Sequence, residues 1–200
     1  MNKAIIFDMG GVLVDLDIER CKAAFRRDLN YTDIDNIIDP CHQKGIWGDL
    51  EEGVLSAEEF RSIVLADSKP GATEQEVDEA MSKILVGIDP YKAELLKKMS
   101  AKYDLYMLSN NNSICLPYSS AMFTEAGVPL ATTFRKCFLS FEMKALKPSV
   151  AFYKRVIEDS EYTDTYAINV LAHLYRYEKR HKRFKNSKLP FRTRCIIMCY

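Results

Sequence analysis

The sequence has no net charge, 28 Lys and Arg standing against 28 Asp and Glu in 200 residues. It has no apolar run approaching the roughly 20 residues that cross a bilayer, so no membrane partner is expected. The apolar stretch near the start is broken by Asp8 and lacks a small-residue cleavage site. No secretory signal peptide is therefore expected, and the reading is cytoplasmic. Six cysteines are scattered with no CxxC pair, and none joins the three histidines at metal-ligand spacing. That argues against a disulfide framework or a zinc site and for reduced thiols. Repeats and low-complexity linkers are also missing. What is present, 48% hydrophobic and 28% charged residues, is the composition of a soluble globular chain: one domain, or a core with a smaller insert.

The zero charge conceals a division. Between Arg176 and Arg194 stand nine Lys or Arg and one acid, Glu178, leaving 19 basic against 27 acidic residues elsewhere. An acidic body thus precedes a basic tail.

The stretch Lys3-Ala-Ile-Ile-Phe-Asp8-Met-Gly10-Gly11-Val-Leu-Val-Asp15 organises the chain. Ala4 to Phe7 is too short for a helix and apolar throughout, which predicts a strand buried on both faces of a parallel sheet. Asp8 falls at its carboxyl end, where open α/β sheets bind ligands. Gly10 and Gly11 would let main-chain amides come close to an anion. Taken alone, Asp8 reads equally as a cap for the next element.

From Asp17 to Glu52 the pattern is helical, with pieces at 17–27, 33–38 and 43–52, the last stopped by Gly53. Ser56-Ala-Glu-Glu59 is a capping box, and Thr73 opens another helix reaching Leu85 with Glu74 and Glu76 in its first turn. No strand is expected in this helical insert of roughly 70 residues, about half a common domain. Asp89-Pro-Tyr starts a helix, Tyr103 to Leu108 is a buried strand, 122–126 is helical, and Lys136 to Ser140 is a third strand. Pro148 is placed in the first turn of a helix carrying Val150, Tyr153 and Val156. Tyr166 to Leu171 reads as a fourth strand; beyond it the period is lost, and Cys195 to Cys199 is an isolated apolar run. Alternating strands and helices give an α/β class with a mostly parallel sheet.

Three loops at strand ends or helix starts thereby offer a carboxylate (Asp8), a hydroxyl (Ser109, followed by Asn110) and an ammonium (Lys147). Phosphoryl transfer to a carboxylate needs a nucleophilic oxygen together with donors and cations for the phosphoryl charge. A divalent cation, Mg²⁺ by its taste for oxygen ligands, commonly accompanies it.

FDMGGVLVD, then LSN, then KP before a helix resembles the haloacid dehalogenase superfamily over about residues 1 to 160, and most closely its small phosphatases with FDxGxV motifs. The resemblance implies a Rossmann-like core at 1–15 and 86–175, a helical cap at 16–85, and a basic tail at 176–200. It implies Asp8 as nucleophile, Ser109 and the Asn110 backbone on the phosphoryl oxygens, and Lys147 neutralising phosphate and Asp8 together. It also places the residue 10 carbonyl and Asp8 on Mg²⁺. The expected partner is a small phosphorylated metabolite, sugar phosphates first; nucleic acid is not expected. Trp47 reads either as a cap residue facing the site or as the core of the cap.

Two departures stand out. Most phosphatases of the superfamily have an acid two positions after the nucleophile, where this chain has Gly10. The FDxGxV branch shares that gap, and the same gap admits a dehalogenase-type hydrolase. The family pattern also expects a strand ending in Asp residues that complete the Mg²⁺ site, whereas Leu171 is followed by Ala172 and His173. Weak metal binding follows, with activity lowered by several powers of ten at roughly a hundredfold per lost contact, or a remnant without turnover. The coincidence of this loss with the basic tail suggests a departure from the family reading frame after Ser160. A solvated tail is favoured over a nucleic-acid-binding arm at 179–185.

Overall fold

The computed structural model describes residues 4–38, 45–159 and 196–198. The expected fourth strand at 166–171 and most of the basic tail lie outside these residues.

Strand β1 (Ala4–Phe7) is buried along its length. It pairs in parallel with β4 (Asp104–Ser109), which pairs in parallel with β5 (Lys136–Leu139). On the other side of β1 lies β6 (Ile196–Met198), also parallel, giving the order β5-β4-β1-β6. The run that looked isolated in sequence thus contributes a strand. Its consecutive apolar, largely β-branched residues suit the edge that β1 would otherwise leave open.

Alternation along the strands divides the core into two layers. Ile5, Phe7, Leu105 and Met107 belong to one cluster with Phe25, Val77 and Leu96. Ala4, Ile6, Tyr106, Leu108 and Phe138 belong to the other, with Phe152, Tyr153 and Val156 of helix α10 (Val150–Asp159). Apolar side chains on both faces are what an all-parallel sheet requires.

The helical insert forms as its caps dictate. Helix α1 (Ile18–Leu29) starts at Asp17, whose carboxylate accepts from the Arg20 amide at 2.9 Å. After α2 (Ile34–Ile37) and α3 (Gly45–Glu52), helices α4 (Ala57–Ala66) and α5 (Glu74–Ser82) both open with reciprocal capping boxes, Ser56 with Glu59 and Thr73 with Glu76. Arg61 grips Asp78 through two bonds of 2.7 and 2.8 Å, tying α4 to α5.

Three expectations need correction. The insert is bounded by strands: β2 (Asp15–Leu16) pairs antiparallel with β3 (Leu85–Gly87), so both ends pass through one short ribbon. Segments of two and three residues carry no readable period, and pairing is supplied by tertiary context. Helix α7 (Cys115–Glu125), which follows α6 (Pro90–Ser100), is longer than read, because its serines and Pro117 obscure the apolar face. Pro148 lies outside α10; Ser149 caps that helix, accepting from the Phe152 amide at 3.2 Å.

Gly53 ends α3 in a left-handed conformation (φ 70°), against the short helix α9 (Ser140–Met143), which follows α8 (Leu130–Thr133). A Cβ there would overlap the Phe141 carbonyl oxygen. The left-handed region alone costs a residue with a Cβ about 1–2 kcal/mol. Gly53→Ala is therefore expected to lower unfolding stability by about 2 kcal/mol or more, read from a denaturant midpoint. A loss below about 0.5 kcal/mol would show that α3 does not pack on α9 in this way.

Candidate active site

Asp8 leaves the end of β1 into a tight turn. The Leu13 and Val14 amides each donate to the Met9 carbonyl at 2.9 Å, and the Gly11 amide donates to the Val14 carbonyl at 2.9 Å. Gly11 has φ 73°. Its amide, expected at the anion, is thus engaged inside the turn, and its contribution is the conformation that only glycine takes easily. The Met9 amide donates to Asp8 Oδ1 at 2.8 Å.

Lys147 sits in the turn before α10, and its Nζ lies 2.6 Å from Asp8 Oδ2, with the side chains only 13% and 21% exposed. The same ammonium donates to the Leu108 carbonyl at 3.2 Å. Asn110 clamps the backbone of Lys147 from both sides: its Oδ1 accepts from the Lys147 amide at 2.8 Å, and its Nδ2 donates to the Lys147 carbonyl at 3.2 Å. Ser109, buried at the end of β4, donates its hydroxyl to the Asn110 carbonyl at 3.0 Å. A hydroxyl rotor can turn to an incoming oxygen instead. The three loops singled out in sequence therefore converge at the carboxyl end of the sheet.

Several residues at the site carried little signal. Asn111, buried, donates its amide to Ser140 Oγ at 2.9 Å, and its Nδ2 lies 3.4 Å from Met9 Sδ. Asn112 Oδ1 accepts from the Ile114 and Cys115 amides at 3.1 and 2.8 Å, capping α7. Ser140 stands at the end of β5 as Ser109 stands at the end of β4, and that parallel was the available clue.

The insert adds a buried carboxyl. Glu51, in the last turn of α3, is 8% exposed, and burial pushes its carboxyl up to about 7, against the opposing pulls of the Trp47 indole N–H and the Lys147 ammonium. Trp47 donates to Glu51 Oε1 at 3.1 Å and meets Phe60 edge-on at 6.4 Å between centroids. At 5% exposure it is core of the insert, which corrects the substrate-facing reading: its ring is used up in packing.

At Gly10, a Cβ would lie 3.0 Å from Leu16 Cδ1. That atom ends a flexible, half-exposed side chain, which need give by only a few tenths of an ångström, so packing alone does not bar a side chain at this position. Among the described residues no group of three or more His, Cys, Asp or Glu is placed to hold a metal. The available donors are the Asp8 carboxylate and the Gly10 carbonyl, which takes no part in the turn bonds given above. Both are hard oxygens, and each Asp8 oxygen keeps a lone pair beyond its present donor. That donor set fits Mg²⁺, which keeps several waters and takes few protein ligands.

The chain is 34% identical over 161 residues to D-ribitol-5-phosphate phosphatase of Bacteroides thetaiotaomicron, covering 80% of this chain and 78% of that protein. Its structure resembles a HAD family enzyme of B. thetaiotaomicron crystallised with magnesium and inorganic phosphate. The TM-scores are 0.74 for a point mutant and 0.72 for the wild-type protein, each at 32% identity over 80% of this chain and 79% of that one. A predicted HAD-like family hydrolase of Porphyromonas gingivalis gives 0.71 at 33% identity, over 80% of this chain and 77% of its own. No family model matches the chain.

Proposed function

The chain belongs to the haloacid dehalogenase (HAD) family of hydrolases, and on that premise we propose that it is a Mg²⁺-dependent phosphatase of small phosphorylated sugars and polyols, working through a phosphorylated Asp8. The observation that carries this reading is the 2.6 Å contact between Lys147 and Asp8, two residues 139 positions apart, held beside the end of β4 by Asn110. Residues 16–85 are the cap and the sheet with its helices is the core. The relative's name supplies the substrate class, a phosphate ester of a small open-chain polyol.

In the first step an Asp8 carboxylate oxygen attacks phosphorus, the bond from phosphorus to the ester oxygen breaks, and the departing alkoxide takes a proton. Lys147 offsets charge on both Asp8 and the phosphoryl group, while Ser109 and the Asn110 amide donate to the phosphoryl oxygens. In the second step water attacks the acyl phosphate, releasing inorganic phosphate and restoring the carboxylate. Gly10 brings no acid for the alkoxide, so its proton comes from elsewhere. The Asp8 carboxylate and the Gly10 carbonyl would hold Mg²⁺, which would supply charge neutralisation at the phosphate. Among the described residues the donor set has a single carboxylate, which supports weak metal binding and also favours a second reading, a remnant that binds phosphate without turnover.

Phosphate release from ribitol 5-phosphate, glucose 1-phosphate and acetyl phosphate, with Mg²⁺ and after chelation, tests the proposal. Release that EDTA abolishes and Mg²⁺ restores is expected, with no halide liberated from a 2-haloacid. No release from any of the three compounds would leave the remnant reading standing.

A further inference from the structure

Ser140 is fully buried where the insert meets the core, and its hydroxyl has more partners than it has protons. Oγ lies 2.5 Å from the Glu51 carbonyl of α3 and 3.0 Å from the Asn111 carbonyl, and it accepts from the Asn111 amide at 2.9 Å. A hydroxyl donates one proton, so it serves one of the two carbonyls at a time. With α3 docked, the shorter bond to Glu51 claims the proton and Asn111 is held through its amide. With α3 withdrawn, the proton falls to the Asn111 carbonyl. Asn111 adjoins Asn110, which clamps Lys147, which touches Asp8. The docking contact is reinforced by Lys144, whose ammonium donates to the Gly53 carbonyl.

From this juxtaposition we propose that Ser140 is a positioning residue, which couples docking of the insert to the geometry of the loop at 109–112 and so favours turnover when a substrate draws the insert down. Its catalytic consequence rests on the phosphatase reading; the coupling itself does not.

Two measurements separate these. In the first, hydrogen exchange is followed in the full chain without substrate. Ser140→Ala is expected to speed exchange about tenfold or more both at the Asn111 amide and in the last turn of α3. Gly53→Ala, which disturbs docking from the insert side, is expected to speed the Asn111 amide only when Ser140 is present, because a coupling is reciprocal and vanishes when its link is removed. Ser140→Cys, close in size with a weaker donor, should fall between, and it serves if the alanine variant does not fold. An exchange change confined to one side, or an equal Gly53→Ala effect in both backgrounds, would overturn the proposal.

The second measurement compares acetyl phosphate, too small to engage the insert, with ribitol 5-phosphate. Ser140→Ala is expected to lower kcat on the larger ester at least about tenfold more than on acetyl phosphate, with KM little changed. Equal losses on both would mark Ser140 as merely structural. A wild-type chain inactive on both compounds would reject the phosphatase reading and leave the exchange result to decide the coupling.

Discussion

Asp8→Asn is expected to lower phosphate release by about 10³-fold or more, the scale on which loss of an essential nucleophile is felt. The carboxamide oxygen is a poor nucleophile and carries no charge, so the acyl phosphate does not form, and Lys147 loses the anion it now faces at 2.6 Å. The substitution keeps shape and can still accept from the Met9 amide, now at 2.8 Å. The fold should therefore persist, with an unchanged circular dichroism spectrum. Acid-quenched wild-type protein incubated with ³²P-labelled substrate should retain label, and the variant should not. Activity within tenfold of wild type would remove Asp8 from the nucleophile's role.

Glu51→Gln is expected to change how stability depends on pH. The folded carboxyl titrates at about 7 against an ordinary 4.5, so the folded state binds a proton that the unfolded state has already released. A raised carboxyl pKa makes folding most favourable below 4.5, progressively less so between 4.5 and 7, and level above 7. At about 1.4 kcal/mol per pH unit, the whole swing is roughly 3 kcal/mol. Glutamine keeps an oxygen for the Trp47 indole and has no proton to release, so this contribution disappears. Urea midpoints at pH 4.5, 5.5 and 7.5 should show wild type losing stability relative to the variant by about that amount. Parallel profiles for the two proteins would mean that Glu51 is not held as a buried acid.

Strand β1 and its partners β4 and β5 were legible because each is an apolar run with a polar residue at its end, a pattern that parallel strands impose whatever their neighbours. Asp8, Ser109 and Lys147 could be placed at one end of the sheet from that rule and from helix starts. The caps at Asp17, Ser56, Thr73 and Asp89 were equally local and were read where they occur. Glu51 and Ser140 were not legible as site residues. Glu51 sits among acids that look like a solvated helix end, and only docking of α3 buries it. Ser140 closes β5 with one ordinary hydroxyl, and its three partners come from segments up to 89 positions away. Gly11 shows the opposite error: glycine correctly announced a turn, but the turn consumes the amide that was expected to face the anion.

The ribbon of β2 and β3 ties the entry of the insert to its exit. Its two ends leave the core on adjacent antiparallel strands, and neighbouring strands lie about 4.8 Å apart. The 17–84 segment therefore leaves and returns at one neck, while its Phe25 and Val77 share a core cluster with Ile5, Phe7, Leu105 and Met107, so that its removal would strip the apolar cover from that face of the sheet. With entry and exit fixed to each other, changes within the segment reach β1 and β4 through packing rather than through its connections.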